Sequence, residues 1–216
     1  MGQSGRSRLG RALLVVGAAL MAWWLWSTVD GMLYQSKLGR RLDAIAPQAP
    51  AREPLQVARM TRAEADSTGL IGRLEIPRLG LSTIVVEGTG HRALRRGIGH
   101  VEDTAFPGEP GNVGLAGHRD SYFRPLESIA LGDRIRIATP DGVFDYAVES
   151  TVIVTPDRGD LLATTGEPCL TLVTCYPFRW VGPAPRRLVI RARPTSLAAS
   201  APATPTATPA VLATPR

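Results

Sequence analysis

Residues 12–29, ALLVVGAALMAWWLWSTV, contain no charged side chain, and this run limits the architectures open to the chain before anything else is read. Eighteen helical residues extend about 27 Å, enough to cross a hydrocarbon core. Arg6, Arg8 and Arg11 precede the run, and Asp30 is the first charge after it. Positive charge stays on the cytoplasmic side, so the C-terminal bulk is expected outside the cytoplasm. Trp23, Trp24 and Trp26 crowd the distal end, where amphipathic rings favour the membrane–water interface. A cleaved signal peptide would need a small-x-small site after the apolar core, and Trp26-Ser27-Thr28-Val29-Asp30 is a poor one. The expectation is an uncleaved anchor over 12–29 in the cytoplasmic (inner) membrane, crossing once, with residues 1–11 in the cytoplasm.

Composition narrows what lies beyond the membrane. The chain has 216 residues and a net charge of +6, but Lys37 is its only lysine and no basic run exceeds two residues. A stripe that would bind nucleic acid is therefore absent. Two cysteines cannot build a disulfide framework or a four-cysteine zinc site, and three histidines argue against a histidine cage. Residues 30–69 read as a stalk. Leu38, Leu42 and Ile45 fall at helical spacing, and Pro47, Pro50 and Pro54 then favour an extended spacer. Residues 194–216 are rich in Ala, Pro and Thr and lack bulky apolar side chains, so a disordered tail is expected. The folded domain is thereby limited to about residues 70–193.

Within that span the periodicity is mostly two. Strands are expected over 70–76, 82–86, 112–116, part of 129–138, 143–154, 170–174 and 188–193, with a helical turn near Thr89–Leu94. Asp141-Gly142 is a strong hairpin signal. Seven or eight short strands with little helix suit an all-β fold, a closed or nearly closed barrel or an open sandwich, which periodicity does not separate.

Three chemically useful residues fall at strand ends. His118 follows Gly114-Leu115-Ala116-Gly117, Cys175 ends Leu170–Thr174, and Arg186 and Arg187 begin the last strand. A nucleophilic thiol acts as the thiolate, which neighbouring cations favour. Acyl transfer also needs a donor for the oxyanion, which arginine can supply. Taken singly each signal is weak, since a free cysteine is more often a small buried hydrophobe.

The strings LAGHRDSYFRPL (115–126), TLVTCYPF (171–178) and VGPAPRRLVIRA (181–192) together resemble the sortase family, most of all its class D-like branch. The resemblance implies an eight-stranded sortase-type β-barrel with short helices behind one transmembrane helix. It implies a cysteine transpeptidase that cuts an LPxTG-like sorting motif of secreted proteins and joins the new carboxyl end to an amine, such as a cell-wall precursor or a pilin. By the same resemblance Cys175 is the nucleophile, His118 the proton donor and acceptor, and Arg187 the oxyanion and substrate ligand. Arg186 would exchange roles with Arg187 after a one-residue slip. Thr174 is expected in the substrate pocket, and Asp120 and Tyr122 at its rim.

The remaining candidates point elsewhere. Cys169 lies six residues of strand from Cys175, about 20 Å, which is too far for a direct disulfide without a bend. His100 reads as a structural or rim residue and His91 as solvent-facing. Glu75, Glu87 and Asp103 do not form a D-x-D-x-D calcium loop, so neither metal nor cofactor is expected. A papain-type protease would place Cys before His, and an L,D-transpeptidase would show SHGC where this chain has TLVTC. Two other functions use the same residues or none of them: a peptidase in which water replaces the amine, and a non-catalytic membrane-tethered barrel. The irregular interval between Val154 and Cys169 is the expected determinant of substrate choice.

Overall fold

The computed structural model describes residues 3–45, 53–163 and 166–195. Helix α1 (Gln3–Ile45) is followed by α2 (Pro54–Thr68) and then by eight strands. These are β1 (Leu70–Ile76), β2 (Leu81–Glu87), β3 (Ile98–His100), β4 (Asn112–Gly117), β5 (Arg134–Ala138), β6 (Val143–Val154), β7 (Cys169–Tyr176) and β8 (Arg186–Pro194). A short helix, α3 (His91–Arg96), joins β2 to β3. The strands close into a barrel in the order β1-β2-β3-β4-β7-β8-β6-β5. The barrel, and not the sandwich, is therefore the fold; closure leaves no open sheet edge to pair with another chain.

Alternation drives the closure. On β7 the inward residues Leu170 and Leu172 are fully buried, and on β8 their counterparts Ile190 and Ala192 are too. They meet Leu115 of β4, Ile71 and Leu74 of β1, Ile135 and Ile137 of β5 and the Phe123 ring in one continuous core. Two pairings are parallel, β2 with β3 and β4 with β7, and each needs a crossover. The first crossover carries α3, and the second carries the β5–β6 hairpin that completes the far wall.

The segment read as a stalk is not a free spacer where it is described. Pro54 opens α2 in its first turn, a position that needs no N–H, rather than extending the chain. Val57, Ala58, Thr61 and Ala65 of α2 are buried against the barrel. Helix α1 runs for 43 residues, about 65 Å, and its distal end also docks. Leu38 and Leu42 pack on Leu70, Ile84 and Val86, and the Gln35 Oε1 accepts from the Ile84 N–H at 2.9 Å. The α1 stretch from Leu13 to Leu42 is long and apolar enough to cross a membrane, and its side chains from Leu13 to Trp26 are exposed. Pro47 and Pro50 lie outside the described residues. So does the tail from 196 on, whereas Thr195 still continues the β8 edge by donating its N–H to the Asp145 carbonyl at 2.9 Å.

Two local devices hold the barrel near its mouth. Gly117, the last residue of β4, lies against Phe123, and a Cβ there would come within 2.6 Å of the ring. The ring is fully buried and cannot retreat, so only glycine lets the β4 end and the following turn come this close. On the opposite side, Arg78 in the β1–β2 turn grips Asp133 with Nε and with Nη2, the latter at 2.6 Å from Oδ2. The Ala130 N–H donates to the same carboxylate at 2.8 Å, which ties the entry of β5 to the β1–β2 turn across the β1–β5 seam.

Gly117→Ala is expected to cost about 1–3 kcal/mol through overpacking, read as a lower Tm of the full-length protein. The hydrogen bonds from Arg78 hold the Asp133 carboxyl below the usual carboxylate range, against the opposing push of burial. A depressed carboxyl contributes stability above its unfolded pKa, about 3.9, and loses it as pH falls through the lower folded value. Asp133→Asn is thus expected to lower Tm at neutral pH, with the gap to wild type closing as pH falls below 4. A gap that stays constant down that limb would contradict the assignment.

Candidate active site

Three adjacent strands bring the sequence-predicted residues to one level. In the β7–β8 ladder Cys175 lies opposite Arg187. In the parallel β4–β7 ladder Gly117, the last residue of β4, lies beside Thr174, so His118, the next residue, follows β4 at the level of Cys175. Neighbouring strands are about 4.8 Å apart, so the histidine and the arginine flank the thiol on its two sides. Cys175, His118 and Arg187 are all half-buried, open to solvent on one side and backed by the core on the other. Cys175 is a free thiol.

The register also separates the two arginines. Directly opposed residues of an antiparallel pair project to the same face, whereas sequence neighbours project to opposite faces. Arg187 therefore shares the face of Cys175, while Arg186 opposes Tyr176 and is exposed. The Arg187 guanidinium is folded on its own loop, Nη1 donating to the Arg186 carbonyl at 2.9 Å and the Ala184 carbonyl at 3.2 Å. Those contacts are to neutral carbonyls, and Arg187 has no acidic partner among the described residues.

Thr174 serves a different purpose from the pocket contact expected of it. Its side chain is buried on the inward face, and its hydroxyl donates to the Gly117 carbonyl at 2.8 Å. That bond locks the residue before the histidine to the residue before the cysteine. Tyr122 reaches toward α3, where its hydroxyl donates to the Arg95 carbonyl at 3.1 Å. Burial raises the Tyr122 phenol above its ordinary value, opposed by a hydrogen bond with Gln35. Asp120 is exposed in the turn after His118, where the His118 carbonyl accepts from the Phe123 N–H at 3.1 Å.

Other titratable residues are engaged in structure. His100 is buried, with Nδ1 at 3.0 Å from the Glu87 carboxylate and Nε2 at 3.0 Å from the Ala105 carbonyl. His91 is exposed at the start of α3. Cys169 is buried at the far end of β7, where its sulfur accepts from Arg191 Nη2 at 3.5 Å.

One residue of the mouth escaped the sequence reading. Arg119 Nη2 donates to the carbonyls of Trp180 and Gly182 at 3.0 and 3.1 Å, joining the turn after His118 to the β7–β8 loop. Its Nη1 is buried without a hydrogen-bond partner among the described residues. Nothing in the string Gly-His-Arg marks that tie, because an arginine in a turn is ordinarily solvated. The described part of the β6–β7 interval up to residue 163 carries one short helical turn (Gly159–Leu162), pinned to the start of β4 where Asn112 Nδ2 donates to the Leu161 carbonyl at 3.1 Å.

Comparison with known proteins bears on the same span. The sortase domain model matches residues 74–195, more than half of the chain. Sortase D of Bacillus subtilis (strain 168) is 40% identical over 120 residues, which are 55% of this chain and 61% of the relative. Sortase A of Bacillus anthracis is 31% identical over 127 residues, 57% of this chain and 60% of the relative. The chain thus spans about three-fifths of the length of these two relatives. Among solved structures, a Clostridium perfringens sortase D5 transpeptidase superposes with a TM-score of 0.55 at 27% identity, covering 65% of this chain and 99% of that one. Sortase C1 of Streptococcus agalactiae gives 0.56 at 30% identity, over 61% and 70%. With the matched span enclosing all eight strands but the start of the first, the chain belongs to the sortase family.

Proposed function

We propose that this protein is a membrane-anchored cysteine transpeptidase. It cleaves an LPxTG-like sorting motif of secreted proteins and joins the new carboxyl end to an amine acceptor, such as a cell-wall precursor or a pilin. The observation that carries the reading is the level of three neighbouring positions: Cys175 on β7, Arg187 opposite it on β8, and His118 directly after the end of β4. Catalytic groups set on strand ends keep their spacing without the entropy cost of ordering a loop.

The chemistry follows from that order. The Cys175 thiolate attacks the scissile carbonyl carbon, and the π pair moves onto the oxygen. Arg187, on the same face, donates to that oxyanion. Collapse of the tetrahedral intermediate breaks the C–N bond, and His118 supplies the proton to the departing amine. The peptide remains as a thioester on Cys175. An incoming amine then attacks the thioester, returns a proton to His118 and expels the thiolate. Thr174 and Gly117 act as positioning residues, since their hydrogen bond sets the height of His118 against Cys175. Rotation of the Arg187 guanidinium off its loop carbonyls brings its fork toward the substrate. The described part of the β6–β7 interval, residues 155–163, starts where Val154 pairs with Arg187, and in this reading it determines substrate choice.

The anchor is assigned to α1, crossing the cytoplasmic membrane once, with the barrel on the extracytoplasmic side. Support comes from the apolar, exposed surface of α1 and from the arginines at positions 6, 8 and 11.

Full-length protein incubated with a library of sorting-motif peptides, with and without oligoglycine or a diamine, tests the reading by product mass. Ligated product is expected, lost entirely in Cys175→Ala and in His118→Ala. Cleavage that never yields ligation, even at high acceptor concentration, would make the protein a peptidase. Arg187→Ala is expected to lower kcat by about 10²–10³-fold, the effect of removing an oxyanion donor. Arg187→Lys should recover only part of it, because a point charge replaces the guanidinium fork. Arg186→Ala is expected to cost less than Arg187→Ala; the reverse order would mean that the register assigns the wrong arginine.

A further inference from the structure

Where α1 leaves its apolar stretch it meets α3, and the two enclose a hollow of about 190 Å³ lined by Trp23, Trp26, Asp30, Arg95 and Arg96. The sequence of α3, His91-Arg92-Ala93-Leu94-Arg95-Arg96, contains three arginines and no acid. Arg92, Arg95 and Arg96 stand at i, i+3 and i+4, so they share one face of the helix. Asp30 is the only acid lining the hollow, and Arg96 neutralises it at 3.1 Å, with its guanidinium also 4.8 Å from the Tyr34 ring centroid. Arg92 and Arg95 are exposed and have no acidic partner among the described residues. Two positive charges are thus left over at a place where an acidic side chain would be the ordinary neighbour.

The level of the hollow decides what can neutralise them. Trp26 lies one helical turn, about 6 Å, before Asp30. A tryptophan with an apolar body and a polar N–H settles at the headgroup boundary, so the hollow lies at the headgroup layer of the membrane that α1 crosses. Arginines there keep their stems against apolar surface and present their guanidinium groups to the phosphates. The α3 helix is also fixed in place. Gln35 of α1 receives the Ile84 N–H and donates to the Arg96 carbonyl, and Tyr122 donates to the Arg95 carbonyl. The backbone of α3 is therefore held from both α1 and the turn that follows His118, while the side chains of Arg92 and Arg95 are exposed and Arg96 is held by Asp30 beside them.

We infer that Arg92, Arg95 and Arg96 of α3, with Trp23 and Trp26 of α1, form a binding site for the phosphodiester headgroup of an anionic phospholipid in the outer leaflet. The bound lipid seats the barrel against the membrane and fixes the direction in which the catalytic mouth faces. The hollow holds several water volumes, which is room for one phosphate group; with Arg96 paired to Asp30, Arg95 leaves its lining one positive charge, which matches a singly charged diester, and Arg92 adds a second from the same face of α3. This inference rests on the reading of α1 as a membrane anchor, and the test separates the two.

Full-length protein is reconstituted into phosphatidylcholine nanodiscs carrying a minor fraction of brominated phosphatidylglycerol or, in parallel, of equally brominated phosphatidylcholine. Quenching of tryptophan emission, dominated by the three anchor tryptophans, reports which lipid occupies the hollow. Brominated phosphatidylglycerol is expected to quench beyond its bulk fraction, and added salt is expected to weaken the preference. Arg95→Ala should reduce the preference about fivefold, since one arginine near an anionic surface contributes about 1 kcal/mol. Arg92→Ala with Arg95→Ala should abolish it, and Arg95→Lys should restore most of it. Equal quenching by the two lipids in the wild-type protein, or a preference unchanged in the double variant, overturns the site while leaving the anchor intact. Protein that separates from the discs overturns the anchor, and the site with it.

Discussion

Parallel pairing of β4 with β7 is the constraint on which the rest of the molecule depends. A parallel pair cannot be made by a tight turn, so the chain must travel through β5 and β6 before it returns beside β4. That detour is what lets β8 fall on the other side of β7 and the barrel close. It also sets three strand ends at one height. A single buried hydrogen bond, from the Thr174 hydroxyl to the Gly117 carbonyl, fixes the parallel register at the point that matters for chemistry. A slip by one residue would turn Cys175 into the core and bring Thr174 outward. The close contact of Gly117 with Phe123 then holds the turn carrying His118 against the barrel.

The same economy extends to the N-terminal helix. Helix α1 continues as one element from its apolar stretch to a docking face on β1 and β2, where Leu38 and Leu42 are buried. In the proposed reading of α1 as an anchor, such continuity would relate the barrel to the membrane by geometry rather than by a flexible tether. Tyr122 donates to the Arg95 carbonyl and Gln35 to the next carbonyl, that of Arg96, so the backbone of α3 bridges the turn after His118 to α1. That turn, α3 and α1 thus belong to one mechanical unit.

How much of this could be read from residues alone varies by element. Strands β5, most of β1 and the first half of β6 show period-two alternation because one face meets the core and the other meets water, whereas Ile84, Val85 and Val86 of β2 are all buried, one face in the core and the other under α1; the hairpin at Asp141-Gly142 follows from its turn chemistry. The pairing of His118, Cys175 and Arg187 was legible because their strings are specific in combination. Helix α2 was not, since its buried face is Val57, Ala58, Thr61 and Ala65, small side chains that give little apolar period. Strand β3 is three residues long with glycine in the middle and leaves no alternation to detect. Thr174 read as a pocket residue because its position next to the cysteine is visible in sequence, whereas the face it projects to depends on a register that only the closed sheet sets. Arg119 and Tyr122 hold loops together through backbone carbonyls, and such partners carry no sequence signature.

The central claim is that Cys175, and not the buried Cys169, carries the acyl group between two amines. Full-length protein mixed briefly with a cleavable sorting-motif peptide and quenched in acid preserves the thioester for mass spectrometry of the digested chain. The account predicts an added mass equal to the N-terminal peptide fragment on the segment holding Cys175, discharged when an amine is supplied before the quench. An adduct on Cys169, or cleavage with no covalent intermediate at any time point, would contradict it.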